Sequence, residues 1–247
     1  MGLARLWEAV IDFCYPGRCA ECSDVCDGSW PLCAFCDTDL MVNFKRPGCE
    51  LCGMPIAAEK GPCPHCQGEG RPHYEELIRL CLFQDPMKVL IHQMKYLNRW
   101  GIAEQLAVRM LNQPEIRERL ADIEVIVPVP LHYLRKLKRG YNQAEVIARV
   151  LAKKLNRPWV QAAARVKDTP SQTTKTHDER VANMRGAFEL IDGRAIEGKA
   201  VLVVDDVLTS GSTMASVGNC LSRAHPRLMK GFVFAVADPK GRNFEVL

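Results

Sequence analysis

Cysteine is the residue type with the clearest capacity for chemistry in this 247-residue chain: there are 12, and eleven of them lie in the first 81 residues. Eight form four Cys-x-x-Cys pairs, arranged as a tandem repeat of Cys-x2-Cys-x10-Cys-x2-Cys in which each cysteine recurs 30 residues later. Two such pairs make a four-thiolate zinc site, because each turn aims two sulfurs at one point. We predict two zinc ions, one on Cys19, Cys22, Cys33 and Cys36 and one on Cys49, Cys52, Cys63 and Cys66.

A zinc ion with four protein ligands has no open coordination position, so we expect both sites to be structural. The alternative is a redox-active dithiol; a single Cys-x-x-Cys would be weak evidence for zinc, but the doubled and registered spacing favours it. Zinc ribbons of this kind bind a partner protein or a nucleic acid, or brace a neighbouring domain. The remaining Cys14, Cys26 and Cys81 are expected to be buried small hydrophobic residues.

A second informative segment is residues 199–224, KAVLVVDDVLTSGSTMASVGNCLSRA. Its apolar, β-branched run 200–204 predicts a strand that is buried on both faces of a parallel sheet. Asp205 and Asp206 follow that strand, then comes the loop Val207–Thr213, and a helix is predicted after the loop. Ligands of open α/β sheets bind at this carboxyl end of the strands, so we expect a ligand site here.

Hydroxyl groups, backbone N–H groups and a helix N-terminus together form a cradle for phosphate. Two carboxylates would repel that phosphate, so we expect them to face the vicinal hydroxyls of a sugar. The predicted ribose-5-phosphate site consists of Asp205, Asp206, Val207, Leu208, Thr209, Ser210, Gly211, Ser212 and Thr213. The simpler alternative is a strand–turn–helix with a polar cap, but an acid pair at the end of a buried strand favours a ligand.

A basic cluster follows another predicted strand, residues 123–127, in the segment IEVIVPVPLHYLRKLKRGYNQAEVIA. We interpret this cluster as a loop before a helix that begins near Asn142. Basic side chains at the end of a strand neutralise a pyrophosphate group, and the candidates here are Arg135, Lys136 and Arg139. The alternative is a solvated basic turn.

Strands alternate with helices from residue 77 to residue 237, which predicts an α/β fold with a doubly wound parallel sheet. Residues 1–73 carry 6 Lys and Arg against 10 Asp and Glu, whereas the whole chain has a net charge of +4. The rest of the chain is therefore basic, which points to phosphate-bearing ligands. We predict two domains: residues 1–72, with the double zinc ribbon and a short N-terminal helix, and residues 73–247, with the sheet.

The first residues, MGLARLWEAVIDFCYP, have apolar side chains at helical spacing but carry Glu8 and Asp12 within that stretch. They also lack the cleavage site of a signal peptide, so we expect a cytoplasmic protein whose cysteines stay reduced. No run of about 18 apolar residues is present, so we expect no membrane span.

Both ligand-binding segments resemble known motifs. The apolar run, acid pair and hydroxyl-rich loop at 200–213 resemble the 5-phosphoribosyl-1-pyrophosphate (PRPP) loop of type I phosphoribosyltransferases. The segment VPVPLHYLRKLKRGYNQAEVIA, together with LIHQMKYLNRW and SQTTKTHDERVANMRGAFEL, resembles the ComF family, called ComFC or GntX in various bacteria. Its members combine a double zinc ribbon with a phosphoribosyltransferase-like domain, and the likeness runs from about Tyr15 to Ala237.

The resemblance implies that Asp205 and Asp206 hold the ribose 2′- and 3′-hydroxyls of PRPP, and that Thr209–Thr213 holds its 5′-phosphate. It implies a phosphoribosyltransferase that uses magnesium with PRPP and releases pyrophosphate, while its acceptor stays unidentified. The polar loop 167–178 would then form a lid over the site.

The ComF resemblance also implies a second hypothesis, an accessory of DNA uptake in competence that binds single-stranded DNA or a helicase partner. A third hypothesis is a regulator that senses PRPP without catalysis. The sequence leaves all three open.

Overall fold

The computed structural model describes residues 17–26, 28, 30–44, 48–55, 63, 66, 74–167 and 186–238, without the side chains of Arg135, Lys138 and Arg139. The predicted N-terminal helix lies outside this part of the chain, and so does nearly all of the predicted lid, residues 167–178.

Groups of helices alternate with single strands or groups of strands along the described chain. The helices are α1 (Ala34–Phe44), α2 (Met87–Tyr96), α3 (Gly101–Leu111), α4 (Pro114–Arg119), α5 (Tyr133–Arg139), α6 (Gln143–Leu155) and α7 (Ser212–Ser222). The strands are β1 (Glu76–Leu82), β2 (Val125–Pro128), β3 (Ala163–Arg165), β4 (Phe188–Leu190), β5 (Ala200–Val204), β6 (Val207–Leu208) and β7 (Leu228–Val236). None of these helices is long and apolar enough to cross a membrane.

The main sheet has the strand order β1-β7-β5-β2, with the short β6 beside β7, and all its pairings are parallel. β5 lies between two neighbours and is buried along its whole length, as expected for a continuous apolar run. Its last residue, Val204, is in register with Pro128 of β2 and with Phe232 of β7. β2 and β5 therefore end side by side. Pro128 is tolerated because β2 is an edge strand of this sheet.

Helices cover both faces of the sheet. Successive residues of a strand point to opposite faces, so Leu202 and Val204 join a core with α2, α3, α4 and α6. Val201 and Val203 point the other way and join a second core with α7. The predicted doubly wound parallel sheet is confirmed.

Two of the strands predicted for that sheet are placed differently. β3 and β4 form a separate antiparallel pair, with Ala163 opposite Leu190, and this pair packs against α7. Alternation of strand and helix along a sequence does not distinguish a strand of the main sheet from a strand of a separate pair when each is only three residues long. The antiparallel pairing needs no crossover helix, whereas a parallel one does.

The basic segment predicted as a loop is in fact helix α5. Leu134 and Leu137 recur at helical spacing, and Gly140 ends the helix in the left-handed conformation with φ +78°. A glycine in that position is a common helix stop, so the sequence did contain the signal. α1 and α4 were not predicted either.

We call residues 17–44 the first cysteine unit and residues 48–66 the second, as far as the structure describes them, and the two units contact opposite faces of the sheet. Side chains of the first unit, among them Trp30 and Leu40, join the core that contains α2 and α3. In the second unit, Met54 joins the core on the other face. The second unit also covers the edge strand β1, because the Leu77 N–H donates a hydrogen bond of 2.6 Å to the Glu50 carbonyl. That contact satisfies a donor that an edge strand otherwise leaves to solvent.

Gly53 provides a test of this packing. Its φ is +69°, and an added Cβ would lie 2.8 Å from Val236 and 3.0 Å from Leu77. We predict that Gly53→Ala lowers the free energy of unfolding by about 3 kcal/mol, because backbone strain adds to overpacking. The measurement is urea unfolding of the protein prepared with zinc.

Gly198→Ala is the matched control. Gly198 has nearly the same φ, +67°, but nothing lies within 4 Å of an added Cβ. Strain alone should cost about 1 kcal/mol there. Equal losses in the two variants would contradict the contact of the second cysteine unit with β1 and β7.

Candidate functional site

The acid pair stands at the carboxyl end of β5, held there by backbone hydrogen bonds. The Asp205 N–H donates to the Phe232 carbonyl at 2.9 Å, and the Phe234 N–H donates to the Asp206 carbonyl at 3.0 Å. The Asp206 N–H donates to Oδ1 of Asp205 at 2.9 Å, which fixes that carboxylate as well. The pair therefore has little freedom to move relative to the sheet.

The loop after the acids turns directly into α7. Gly211, with φ +76°, occupies the N-cap position, and the helix begins at Ser212, two residues earlier than the sequence indicated. The hydroxyls of Ser210 and Ser212 lie 2.9 Å apart. The first backbone N–H groups of a helix lack intrahelical partners and carry partial positive charge, so an anion is stabilised at this position.

A small open pocket lies between the strand end and the helix. It is lined by Asp205, Val207, Leu208, Thr209, Gly211, Thr213 and Met214. Asp206, Ser210 and Ser212, which the sequence placed in the same set, are not among the residues that line this pocket. Val207 and Leu208 form β6, whose pairing with β7 fixes the first part of the loop.

The two acids of the pair have different surroundings. Burial, followed by the neighbouring Asp206 charge, raises the pKa of Asp205 to about 7, against the opposing effects of the Asp206 N–H, Lys95 and Arg165. Asp206 is 8% exposed, and its Oδ2 lies 2.9 Å from Nζ of Lys95. Lys95 of α2 is thus the counter-ion of Asp206.

Lys95 and Arg165 are the site residues that the sequence analysis missed. Lys95 follows Met87 and Ile91 at intervals of four, so a charged side chain continues the buried stripe of α2. A charged side chain on a buried helix face needs an oppositely charged partner, so the position of Lys95 in the sequence indicates an ion pair. Arg165 ends the short strand β3, and its guanidinium lies 5.6 Å from the ring centre of Phe188. No comparable sequence pattern marks it.

The predicted pyrophosphate-binding residues lie on α5, which follows β2. Lys136 Nζ is 3.1 Å from Glu145, and Arg149 contacts the same carboxylate at 2.7 Å. Burial opposes ionisation of Glu145, but these two hydrogen bonds outweigh it and hold its pKa below the usual range. The side chains of Arg135 and Arg139 lie outside the described part of the structure.

The turn after α5 is fixed near the acid pair. The Tyr141 hydroxyl donates to the Met94 carbonyl in the last turn of α2. Asn142 donates to the Val129 carbonyl at 3.0 Å and accepts from the Ala144 N–H at 3.2 Å, which caps α6. The end of α2 that carries Lys95 and the turn after the basic helix are thus neighbours.

The eight paired cysteines form two groups, each with its sulfurs within 4.8 Å of one another. The groups are Cys19, Cys22, Cys33 and Cys36, and Cys49, Cys52, Cys63 and Cys66, as the spacing predicts. The Cys22–Cys33 and Cys49–Cys66 sulfurs are 3.6 and 3.7 Å apart. Sulfurs bound tetrahedrally to one zinc lie about 3.8 Å apart, whereas a disulfide would need about 2 Å. Each group could therefore bind a zinc ion.

Known proteins resemble this chain over most of its length. Residues 128–245 match the model of the phosphoribosyl transferase domain family. The chain is 31% identical over 213 residues to the DNA utilization protein YhgH of Salmonella typhimurium, covering 84% of this chain and 92% of that protein. It is 28% identical over 197 residues to competence protein F of Haemophilus influenzae, covering 78% and 84% of the two chains.

More distant matches are also found. Competence protein ComFC of Bacillus subtilis is 30% identical over 97 residues, which is 39% of this chain and 38% of that one. The adenine phosphoribosyltransferase structure from Saccharomyces cerevisiae has a TM-score of 0.37 at 18% identity and covers 59% of this chain and 73% of its own.

The parallel sheet, the strand–loop–helix at its carboxyl edge and the family match define a protein with a phosphoribosyltransferase-like domain. Two cysteine groups precede that domain. The chain belongs to the ComF family.

The cysteine groups lead to a prediction about metal content. We expect two zinc ions per chain, measured by elemental analysis after dialysis against a weak chelator. Cys22 is exposed, so Cys22→Ser removes a ligand without disturbing the core, and the content should fall to one.

Cys26→Ser is the matched control, because Cys26 lies in the same unit but outside both groups. It should retain two zinc ions. Loss of a zinc ion from this variant would contradict the assigned ligand set.

Proposed function

We propose that this protein binds PRPP, or a related ribose-5-phosphate ligand, at Asp205–Thr213 and transfers the phosphoribosyl group to an acceptor. The observation that carries the proposal is the acid pair at the end of β5, directly before a hydroxyl-rich loop at the N-terminus of α7. The loop N–H groups and hydroxyls suit a 5′-phosphate, and a carboxylate suits sugar hydroxyls. The match to the phosphoribosyl transferase domain family supports it.

In the proposed reaction, the bond between the sugar C1 and the pyrophosphate oxygen breaks, and C1 forms a bond to the acceptor. Pyrophosphate leaves with the electron pair of the broken bond. Cations that neutralise its charge lower the barrier, and Lys136 is a candidate together with Arg135 and Arg139. Magnesium accompanies PRPP as its counter-ion. Within the protein, the Asp206 carboxylate already has Lys95 as its counter-ion.

The cysteine groups have a structural role in this proposal. Four thiolates fill the coordination of a zinc ion, so neither zinc takes part in the reaction. Both cysteine groups belong to the proposed first domain, residues 1–72, and the ligand site belongs to the proposed second domain, residues 73–247. A cytoplasmic location would keep the cysteine thiols reduced.

Binding of magnesium-PRPP, measured by calorimetric titration of the zinc-loaded protein, tests the proposal. We expect micromolar affinity for the wild type. The double variant Asp205→Asn/Asp206→Asn should lose at least about a hundredfold, because hydrogen bonds to charged acceptors are worth about 1.5–3 kcal/mol each. An acceptor screen for pyrophosphate release follows if binding is found.

Glu197→Gln serves as the control, since it removes an exposed carboxylate of the same domain away from the pocket. It should bind like the wild type. A folded wild-type protein that does not bind PRPP would refute the proposed function.

Single-stranded DNA is a second candidate ligand, and one observation favours it. Tyr96, Trp100 and Tyr133 are 64%, 55% and 67% exposed, and Tyr133 lies on the basic helix α5. Exposed aromatic rings beside basic side chains are the usual platform for unpaired bases. The name of the Salmonella typhimurium relative, DNA utilization protein YhgH, agrees with this candidate.

The DNA hypothesis predicts that Trp100→Ala and Tyr133→Ala each weaken binding of a labelled single-stranded oligonucleotide about five- to a hundredfold, as loss of base stacking would. Binding should also weaken steeply with salt. Phe35→Ala is the matched control, because Phe35 is an 81% exposed aromatic residue on the first cysteine unit. An equal loss in this variant would contradict the assigned surface.

A further inference from the structure

The two phosphate ends of the proposed ligand define where an acceptor must approach. The 5′-phosphate would lie at the N-terminus of α7, and the pyrophosphate would lie toward the basic helix α5, because each stabilises an anion. The reacting C1 atom then lies between these ends, beside the acid pair. The surface that an acceptor meets on its way to C1 therefore includes the end of α2 and helix α5.

Two exposed aromatic rings flank the C-terminal end of α2, close to the acid pair. Nζ of Lys95 lies 2.9 Å from Oδ2 of Asp206, and the next residue along the chain is Tyr96, which is 64% exposed. The Tyr96 ring packs against the ring of His92, with 4.8 Å between the ring centres. Trp100, at the N-cap position of α3, is 55% exposed. An aromatic surface thus begins one residue from a side chain that contacts the acid pair.

A third exposed ring lies on α5. Tyr133 is the first residue of this helix and is 67% exposed. The helix has seven residues and is therefore about 10 Å long. Tyr141, which follows the helix, donates a hydrogen bond to the Met94 carbonyl in the last turn of α2. The end of α2 and helix α5 are therefore neighbours, and we call Tyr96, Trp100 and Tyr133 the aromatic platform.

The segments that carry the aromatic platform are basic. Residues 92–100 contain Lys95 and Arg99 and no acid, and α5 contains four Lys and Arg and no acid. Asp206 and Glu145, from neighbouring elements, each pair with one of these six cations. A free nucleobase is neutral, whereas each base of a nucleic-acid strand brings a phosphate with it. Exposed rings among several cations fit a base that is still part of a strand.

We propose that the acceptor of the phosphoribosyl group is an unpaired base of single-stranded DNA, which the aromatic platform holds beside the sugar site. This inference rests on the proposed function and joins its two candidate ligands in one reaction. A base nitrogen that carries a hydrogen forms a bond to C1. The bond from C1 to the pyrophosphate oxygen breaks, and pyrophosphate leaves with the electron pair. The nitrogen loses its proton to the departing pyrophosphate, so the products are pyrophosphate and DNA with ribose 5-phosphate on one base.

The test combines the zinc-loaded full-length protein, magnesium-PRPP and a single-stranded oligonucleotide of mixed sequence. Transfer is measured as pyrophosphate release and, by mass spectrometry, as the addition of one phosphoribosyl group to the oligonucleotide. An oligonucleotide of the same length with abasic sugars throughout has the same phosphates but no base nitrogen. We expect both products with the first oligonucleotide and neither with the second.

Variants of Trp100 test the aromatic platform. Trp100→Ala should raise the KM for the oligonucleotide about five- to a hundredfold, as loss of base stacking would, while the calorimetric affinity for magnesium-PRPP stays within about twofold. Trp100→Phe keeps an aromatic ring and should retain most of the transfer. Phe35→Ala removes an exposed ring from the first cysteine unit, outside the aromatic platform, and should leave the KM unchanged.

Four results would overturn the inference. Transfer to a free nucleobase but not to the oligonucleotide would do so and leave the proposed function standing. Pyrophosphate release without a mass gain on the oligonucleotide would make water the acceptor. PRPP binding without transfer to either acceptor would exclude DNA as the acceptor, and an unchanged KM in Trp100→Ala would exclude the platform. If the folded wild type does not bind magnesium-PRPP, the proposed function fails and the inference fails with it.

Discussion

Strand β5 pairs with β7 on one side and β2 on the other, and both of its faces are covered by side chains. A chain that leaves such a strand emerges at the carboxyl edge of the sheet, where backbone groups no longer have ladder partners. Here those groups are satisfied by hydrogen bonds from Asp205 to Phe232 and from Phe234 to Asp206. The position of the acid pair, of the loop and of α7 therefore follows from the pairing of one strand.

The electrostatics of the site follow from the same constraint. Alternation along β5 sends the two acids to opposite sides, where they meet different neighbours. The α2 side supplies Lys95, while the α7 side supplies the pocket and, from the β3–β4 pair, Arg165. A pocket that presents a partly buried carboxylate at one end and a helix N-terminus at the other distinguishes the two ends of a sugar phosphate. That asymmetry fits ribose 5-phosphate better than a simple anion.

The sequence was informative where a pattern is local and dense. The continuous apolar run of β5, the acid pair after it and the registered cysteine repeat each determine their surroundings within a few residues, and the structure has the predicted strand and both cysteine groups. The sequence was less informative where partners are distant. Lys95 lies more than a hundred residues before Asp206, and the antiparallel pairing of β3 with β4 depends on how the chain returns to α7. The density of charge in α5 favours a loop in the sequence, whereas the structure has a helix that Gly140 ends.

The hydrogen bond from Leu77 to Glu50 gives the second cysteine unit a role in solubility. The unit covers the outer side of β1, which is otherwise an open edge of a sheet rich in valine and phenylalanine. An uncovered edge of this kind pairs readily with strands of other chains. A metal bound by the second cysteine group would hold this unit in place over β1, so it would also oppose intermolecular strand pairing and aggregation.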